Sequence, residues 1–85
     1  MSLNISCTPT KGVSKPDVFN AIRGYMEQTH PLSTFECADF DFSDNGKILV
    51  QYSEFGMTRQ YGTDHLKRHL ECKFTFDKLD VFMTM

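Results

Sequence analysis

The 85 residues of this chain are enough for one domain and leave no room for a second. The formal net charge of −2 disfavours a globally basic protein of the kind that binds nucleic acid. Three widely spaced cysteines indicate reduced thiols in a cytoplasmic setting rather than a disulfide scaffold, and no apolar run approaches the length that spans a membrane.

The first predicted elements are a strand and a helix. Apolar and polar residues alternate over residues 3–7, which is typical of a short strand. A helix is predicted over about residues 14–29, because Ser14 is a natural N-cap, Pro16 suits the first turn and Pro31 requires the helix to end before it. The apolar stripe of this helix should pack on the sheet and consists of Val18, Phe19, Ile22, Tyr25 and Met26.

The strongest pattern in the chain is a β-hairpin over about residues 34–55. Apolar and polar residues alternate on both sides of Asp44-Asn45-Gly46, which is the signature of two strands joined by a tight turn. We expect a three-residue loop that ends on Gly46 in the left-handed conformation. This loop predicts the same-face pairs Phe42–Ile48, Phe40–Val50 and Ala38–Tyr52.

The second half of the chain predicts a short strand over residues 57–61 and a helix over about residues 63–72. Thr63 is the expected N-cap of this helix, and Leu66 and Leu70 are its expected inward residues. A strand is preferred to a helix for residues 73–85, because aromatic and β-branched residues dominate there. Its apolar residues change parity midway, so that this strand needs a bulge near Asp77-Lys78.

These elements predict one small α+β domain over residues 1–85, with a mostly antiparallel sheet and two helices packed on one face. Two topologies fit the order of the elements. One is a split β-α-β arrangement, and the other is α-β-β-β-α with added terminal strands. No motif in the chain identifies a family.

The outer face of the predicted sheet is the first candidate site. From Thr34 to Phe55, five acidic residues are offset only by Lys47. Acids beside exposed apolar residues are typical of a modest protein-binding surface, although a solvated face has the same charges. The predicted docking residues are Phe35, Asp39, Asp41, Leu49, Gln51 and Phe55.

The second candidate is a basic set near the second helix that would contact phosphate groups, consisting of Arg59, Lys67, Arg68 and Lys73. Because Asp64 and Glu71 are interleaved with these cations, the footprint is thin and a nucleic-acid partner is disfavoured.

The third candidate is a zinc site. His65, His69 and Cys72 recur at i, i+4 and i+7 of the second helix, and two imidazoles and a thiolate are good zinc ligands. No CxxC or HExxH motif accompanies them, so the alternative is that His65 is solvated, His69 borders the core and Cys72 is a small buried apolar residue.

Enzymatic chemistry has little support in the sequence. There is no nucleophile elbow and no glycine-rich phosphate loop, and a domain of this size has little room for a substrate pocket. We therefore expect no cofactor and a non-enzymatic binding or regulatory module in the cytoplasm. Its expected partner is an unidentified protein or a second copy of the chain, and its size and charge suit an accessory or inhibitor protein of a mobile element.

Overall fold

The computed structural model describes residues 2–43, 46–53 and 62–84. These residues form, in chain order, β1 (Ser2–Pro9), α1 (Lys15–Thr29), β2 (Thr34–Phe40), β3 (Ile48–Ser53), α2 (Thr63–Lys73) and β4 (Phe76–Thr84). The predicted α+β class is confirmed, and so are the two predicted helices and the strand assigned to the C-terminal stretch. The strand predicted over residues 57–61 lies outside the described residues.

The strands of the described residues form one antiparallel sheet in the order β2-β3-β1-β4. Helix α1 connects β1 to β2 across the intervening β3, and α2 connects β3 to β4 across the intervening β1. Each connection is a split β-α-β unit, and together they form the ferredoxin-like arrangement. The described elements therefore confirm the split β-α-β arrangement. The α-β-β-β-α alternative depends on the strand predicted over residues 57–61, which lies outside the described residues.

The core lies between one face of the sheet and the two described helices. Inward residues of the central strands are opposite one another as the pairs Leu3–Tyr52, Ile5–Val50 and Cys7–Ile48, and all six are buried. The helical side chains packed against them are Val18, Ile22, Tyr25 and Met26 from α1 and Leu66 and Leu70 from α2. The alternate residues of the strands and the apolar stripes of the helices thus form one continuous apolar layer, as the sequence patterns predicted. Neither described helix combines the length and the hydropathy that crossing a membrane would require.

The two helices begin differently. In α1, the Asp17 N–H donates to Ser14 Oγ at 3.5 Å, which confirms the predicted N-cap. In α2, the N-cap is Gly62, which has no side chain to cap the helix, and Thr63 is the first helical residue. The predicted Thr63 cap is therefore wrong by one position.

The register of the hairpin differs from the predicted one by two residues. Phe40 is opposite Ile48 and Ala38 is opposite Val50, whereas the three-residue loop predicted Val50 and Tyr52 as their partners. A shift of two residues keeps each side chain on the same face of the sheet, so Phe40 and Ala38 still face the core, as predicted. Phe42 lies beyond the end of β2 and is exposed.

The shift lengthens the loop. The Asp41 N–H donates to Lys47 O at 3.1 Å, and the Gly46 N–H donates to Ser43 O at 2.9 Å. The predicted left-handed Gly46 is wrong, because Gly12, with φ of 95°, is the only described residue with a positive φ.

Gly46 is instead required for space. The Lys15 ammonium, at the start of α1, donates to the backbone carbonyls of Asp41 and Ser43. A Cβ at position 46 would overlap the Asp41 carbonyl oxygen and Lys15 Nζ, and would lie 2.6 Å from the Asp41 carbonyl carbon. The first turn of α1 is thus held against the hairpin loop through a gap that only glycine leaves open.

The expected bulge in β4 is confirmed. Lys78 is opposite Thr8, but Phe76 is opposite Pro9, so that Asp77 is an extra residue in the pairing. The bulge brings Phe76 to the same face as the inward residues Leu79, Val81 and Met83.

Candidate functional site

The candidate site is the face of the sheet that no described helix covers, called the outer face below. Its side chains alternate with the buried ones along each strand. Two rows of neighbours cross the middle of this face. One row is Cys37, Gln51, Asn4 and Phe82, and the other is Asp39, Leu49, Ser6 and Asp80.

A chain of hydrogen bonds, which we call the polar ladder, crosses the outer face. The Cys37 thiol donates to Gln51 Oε1 at 2.8 Å, and Gln51 Nε2 donates to Asn4 Oδ1 at 2.7 Å. Asn4 Nδ2 then donates to Thr84 Oγ1 at 2.9 Å, so that each strand of the described sheet supplies one member. Asn4 is only 3% exposed, although its side chain points away from the helices. The ladder fixes both amide groups and gives this face a rigid centre.

Negative charge collects on the β2 side of the outer face. Glu36 and Asp39 are exposed in β2, and Asp41 is exposed just beyond it. The Ser43 N–H donates to Asp41 Oδ1 at 3.0 Å, and this bond holds the pKa of the Asp41 carboxyl below its ordinary value. On the β4 side, Lys78 lies 3.8 Å from Asp80, so that opposite charges are adjacent there.

The structure brings together some of the predicted docking residues. Asp39 is opposite Leu49 in the sheet, and Gln51 follows two residues along the same strand face. Asp41 directly follows the last residue of β2, and Phe55 is outside the described residues.

Phe35 is not part of the outer face, which corrects the prediction. The pairing of β2 with β3 shifts between Phe35 and Cys37, leaving Glu36 as an extra residue. This bulge turns Phe35 toward the helices, where its ring centroid lies 6.0 Å from that of Phe19 and 5.5 Å from that of Tyr52.

Asn4 and Phe82 are among the outer-face residues that the predicted docking set left out. Asn4 is the central member of the polar ladder, and Phe82 is 44% exposed beside it on β4. In β1 and β4, Asn4 and Phe82 alternate with apolar residues that face the core. This alternation is visible in the sequence and could have identified both as outer-face residues.

The basic set lies on a different part of the molecule. Lys67, Arg68 and Lys73 are exposed on α2, which covers the opposite face of the sheet, and Arg59 lies outside the described residues. Asp64 and Glu71 are exposed on the same helix, so the described part of this surface carries both signs of charge.

Tyr25 brings the three histidines of the chain together. Its hydroxyl shares a hydrogen bond of 2.8 Å with His65 Nδ1, and its ring centroid lies 5.7 Å from that of His65, 5.1 Å from that of His69 and 6.3 Å from that of His30. Cys72 is exposed at the end of α2. Within the described ranges, no group of three or more His, Cys, Asp or Glu residues is arranged to hold a metal ion.

None of the three cysteines is in a disulfide. Cys7 is buried in the core, and burial raises the pKa of its thiol to about 11, so that this thiol stays protonated at neutral pH. Cys37 and Cys72 are exposed.

Protonation of His69 should destabilise the fold. Burial of the ring, assisted by the charges of Lys73 and His65, lowers the pKa of His69 below its ordinary 6.5. The unfolded chain therefore takes up this proton at a higher pH than the folded protein, and stability falls as the pH drops through about 6.5 and levels off below the folded pKa. The melting temperature of the His69→Gln variant should vary less between pH 7 and pH 5 than that of the wild type.

The difference corresponds to less than one proton taken up on unfolding, because a single imidazole titrates and both states bind part of that proton. Lys73→Gln removes one of the contributing charges and should give an intermediate slope. A His69→Gln variant with the pH profile of the wild type would contradict this assignment.

No protein-family model matches this chain, and no curated protein is significantly similar to it in sequence.

Proposed function

We propose that this protein is a small, non-enzymatic, cytosolic binding module that docks a protein partner on the outer face of its sheet. The observation that supports the proposal is the outer face itself, which no described helix covers and whose central polar groups already bond to one another. The proposed docking surface consists of Asp39, Asp41, Leu49 and Gln51.

Leu49 is the apolar centre of the docking surface. It is half-buried on the outer face, between Asp39 of β2 and Ser6 of β1. A partner that covers Leu49 removes the exposed part of this side chain from water without breaking the adjacent polar ladder. Because the ladder is formed before binding, little side-chain ordering would accompany association.

The charges favour a basic partner. Glu36, Asp39 and Asp41 are all exposed on the β2 side, and because the pKa of the Asp41 carboxyl is below its ordinary value, its charge persists to lower pH. Such a group steers the approach of a positively charged surface, and the association rate should fall as salt is added. An accessory or inhibitor protein that covers a basic surface of its target would have this chemistry.

The test is the variant Leu49→Asp, which should weaken partner binding by at least about 30-fold, equivalent to about 2 kcal/mol. A carboxylate in the centre of the contact must lose its water without gaining a partner. The matched control is Leu32→Asp, because Leu32 is 88% exposed in the turn between α1 and β2 and belongs to no strand. Partners are compared by quantitative capture with all three proteins, followed by titration of the purified partner.

Thermal melting shows whether Leu49→Asp remains folded. Equal binding by Leu49→Asp and wild type would remove the outer face from consideration. A loss that is the same for both aspartate variants would show that the added charge, rather than the position, is responsible.

The basic residues of α2 define the competing function, and the same proteins test it. Binding to DNA or RNA at low salt that disappears in a Lys67→Glu, Arg68→Glu double variant would move the function to α2. If the proposal is right, this double variant binds the protein partner as the wild type does.

A further inference from the structure

The edges of the described sheet differ in how they are protected from other strands. In β2, a bulge at Glu36 and the exposed Asp39 interrupt the edge, and both devices discourage pairing with another chain. In β4, the bulge at Asp77 and the charges of Lys78 and Asp80 protect only the first half of the strand. The second half, residues 81–84, contains neither a charge nor a proline.

This unprotected half of β4 presents apolar side chains in an extended backbone. Phe82 is 44% exposed on the outer face, whereas Val81 and Met83 are half-buried against the core. Among the described residues, the other exposed large apolar side chains, Leu32 and Phe42, lie in loops. Among the large exposed apolar residues of the described chain, Phe82 is therefore the one that lies in a strand, and this strand is at an edge of the described sheet.

We propose that the second half of β4 pairs, antiparallel, with the same strand of a second copy of this chain, about a two-fold axis at Phe82. The two sheets then continue into one another, and the edge N–H and C=O groups of β4 gain partners. In this register, Phe82 contacts its own counterpart on the outer face. Val81 lies opposite Met83 on the helix side, and the Asp80 carboxylate lies opposite the Thr84 hydroxyl.

Charge and the bulge disfavour the registers whose two-fold axis lies earlier in β4. A two-fold axis at Asp80 would place two carboxylates opposite one another, and an axis at Val81 would place Asp80 against Phe82. An axis at Leu79 would pair Lys78 with Asp80, but the bulge at Asp77 would then fall inside the paired region.

With the axis at Phe82, the two Asp80 side chains are four residues apart along the strands, or about 14 Å at about 3.4 Å per residue. That distance exceeds the screening length of about 8 Å at physiological salt, so their repulsion is weak.

The contact is small. Residues 80–84 from each copy bury much less than the roughly 1,200 Å² of a standard interface, so the dimer should be weak and should form at high protein concentration. The proposal is independent of the docking function, because Asp39, Asp41, Leu49 and Gln51 lie on the β2 and β3 half of the sheet.

Site-directed crosslinking tests the register. In a Cys37→Ser, Cys72→Ser background, which removes the two exposed thiols, Phe82→Cys places one cysteine on the two-fold axis. Asp80→Cys is the matched variant, because it lies on the same face two residues away. Under mild oxidation, the Phe82→Cys protein should form a covalent dimer at least ten times faster than the Asp80→Cys protein. Equal rates, or faster crosslinking at position 80, would overturn the proposal.

Sedimentation equilibrium tests the association with native side chains. The weight-average mass of the wild type should rise toward twice the monomer mass as the concentration approaches about 1 mM. Phe82→Lys should abolish this rise, whereas Phe42→Lys should leave it intact, although Phe42 is 81% exposed. A wild type that remains monomeric throughout, or a Phe42→Lys variant that loses association equally, would overturn the proposal.

Discussion

Truncation of Tyr25 to alanine is expected to lower the free energy of unfolding by about 3–5 kcal/mol. The Tyr25 ring is 5% exposed and contacts the rings of His65 and His69 on α2, so its loss opens a cavity between the two described helices. At about 0.05–0.15 kcal/mol per residue, the whole chain has about 4–13 kcal/mol of stability. The variant should therefore show a large fall in the urea midpoint, and it should be partly unfolded in water if the wild type is near the low end.

Tyr25→Phe separates the ring from its hydroxyl. This variant keeps the packing and loses the 2.8 Å hydrogen bond to His65 Nδ1, which should reduce stability by about 1 kcal/mol. Similar losses of stability for Tyr25→Phe and Tyr25→Ala would show that the ring contributes little, and would contradict its role in packing the two described helices together.

Replacement of Gly46 by alanine is expected to destabilise the protein by about 1–3 kcal/mol. The new Cβ would overlap the Asp41 carbonyl oxygen, and because that atom belongs to the backbone, the loop must move rather than a flexible side chain. The movement would also displace the Lys15 ammonium from the carbonyls that it binds. Urea denaturation measures the loss, and amide exchange should show faster opening of Asp41 and neighbouring loop residues.

Gly24→Ala is the control for this change. Gly24 is inside α1, and a Cβ there would meet nothing within 4 Å. Alanine should stabilise the helix by about 0.5–1 kcal/mol, because it reduces the freedom of the unfolded backbone. Destabilisation by Gly24→Ala, or no effect of Gly46→Ala, would contradict the assignment of Gly46 as a residue required for close approach.

The sequence predicted those parts of the fold whose signals are local. Helix α1 has its N-cap, its apolar stripe and its terminating proline within one short stretch of the chain. The bulge of β4 was predictable because Phe76 and Leu79 have opposite parity yet both are apolar. Phe35 and Ala38 also have opposite parity in β2, which indicates a bulge between them. Because only Phe35 departed from the alternation, it was interpreted as an outward side chain.

Other features depended on contacts between distant residues. The turn chemistry of Asp44-Asn45-Gly46 predicted a short loop, whereas the described loop carbonyls of Asp41 and Ser43 are bound by Lys15 of α1, which lies 26 and 28 residues earlier in the chain. Likewise, alternation placed Gln51 on the outer face, but its bond to Asn4 requires that β1 and β3 be neighbours. Strand order is set by packing of the whole domain and is not written in any one segment.

The strand order has a consequence for how the chain folds. Strand β1 is made first and lies inside the sheet, but one of its neighbours, β4, is made last, so that Ser2 is opposite Thr84. Both sides of β1 are therefore paired only after nearly the whole described chain has been made. Bringing β1 and β4 together closes a long loop of chain, which carries an entropic penalty. During synthesis, the hairpin of β2 and β3 can form early, whereas the described sheet is completed only after β4 has emerged.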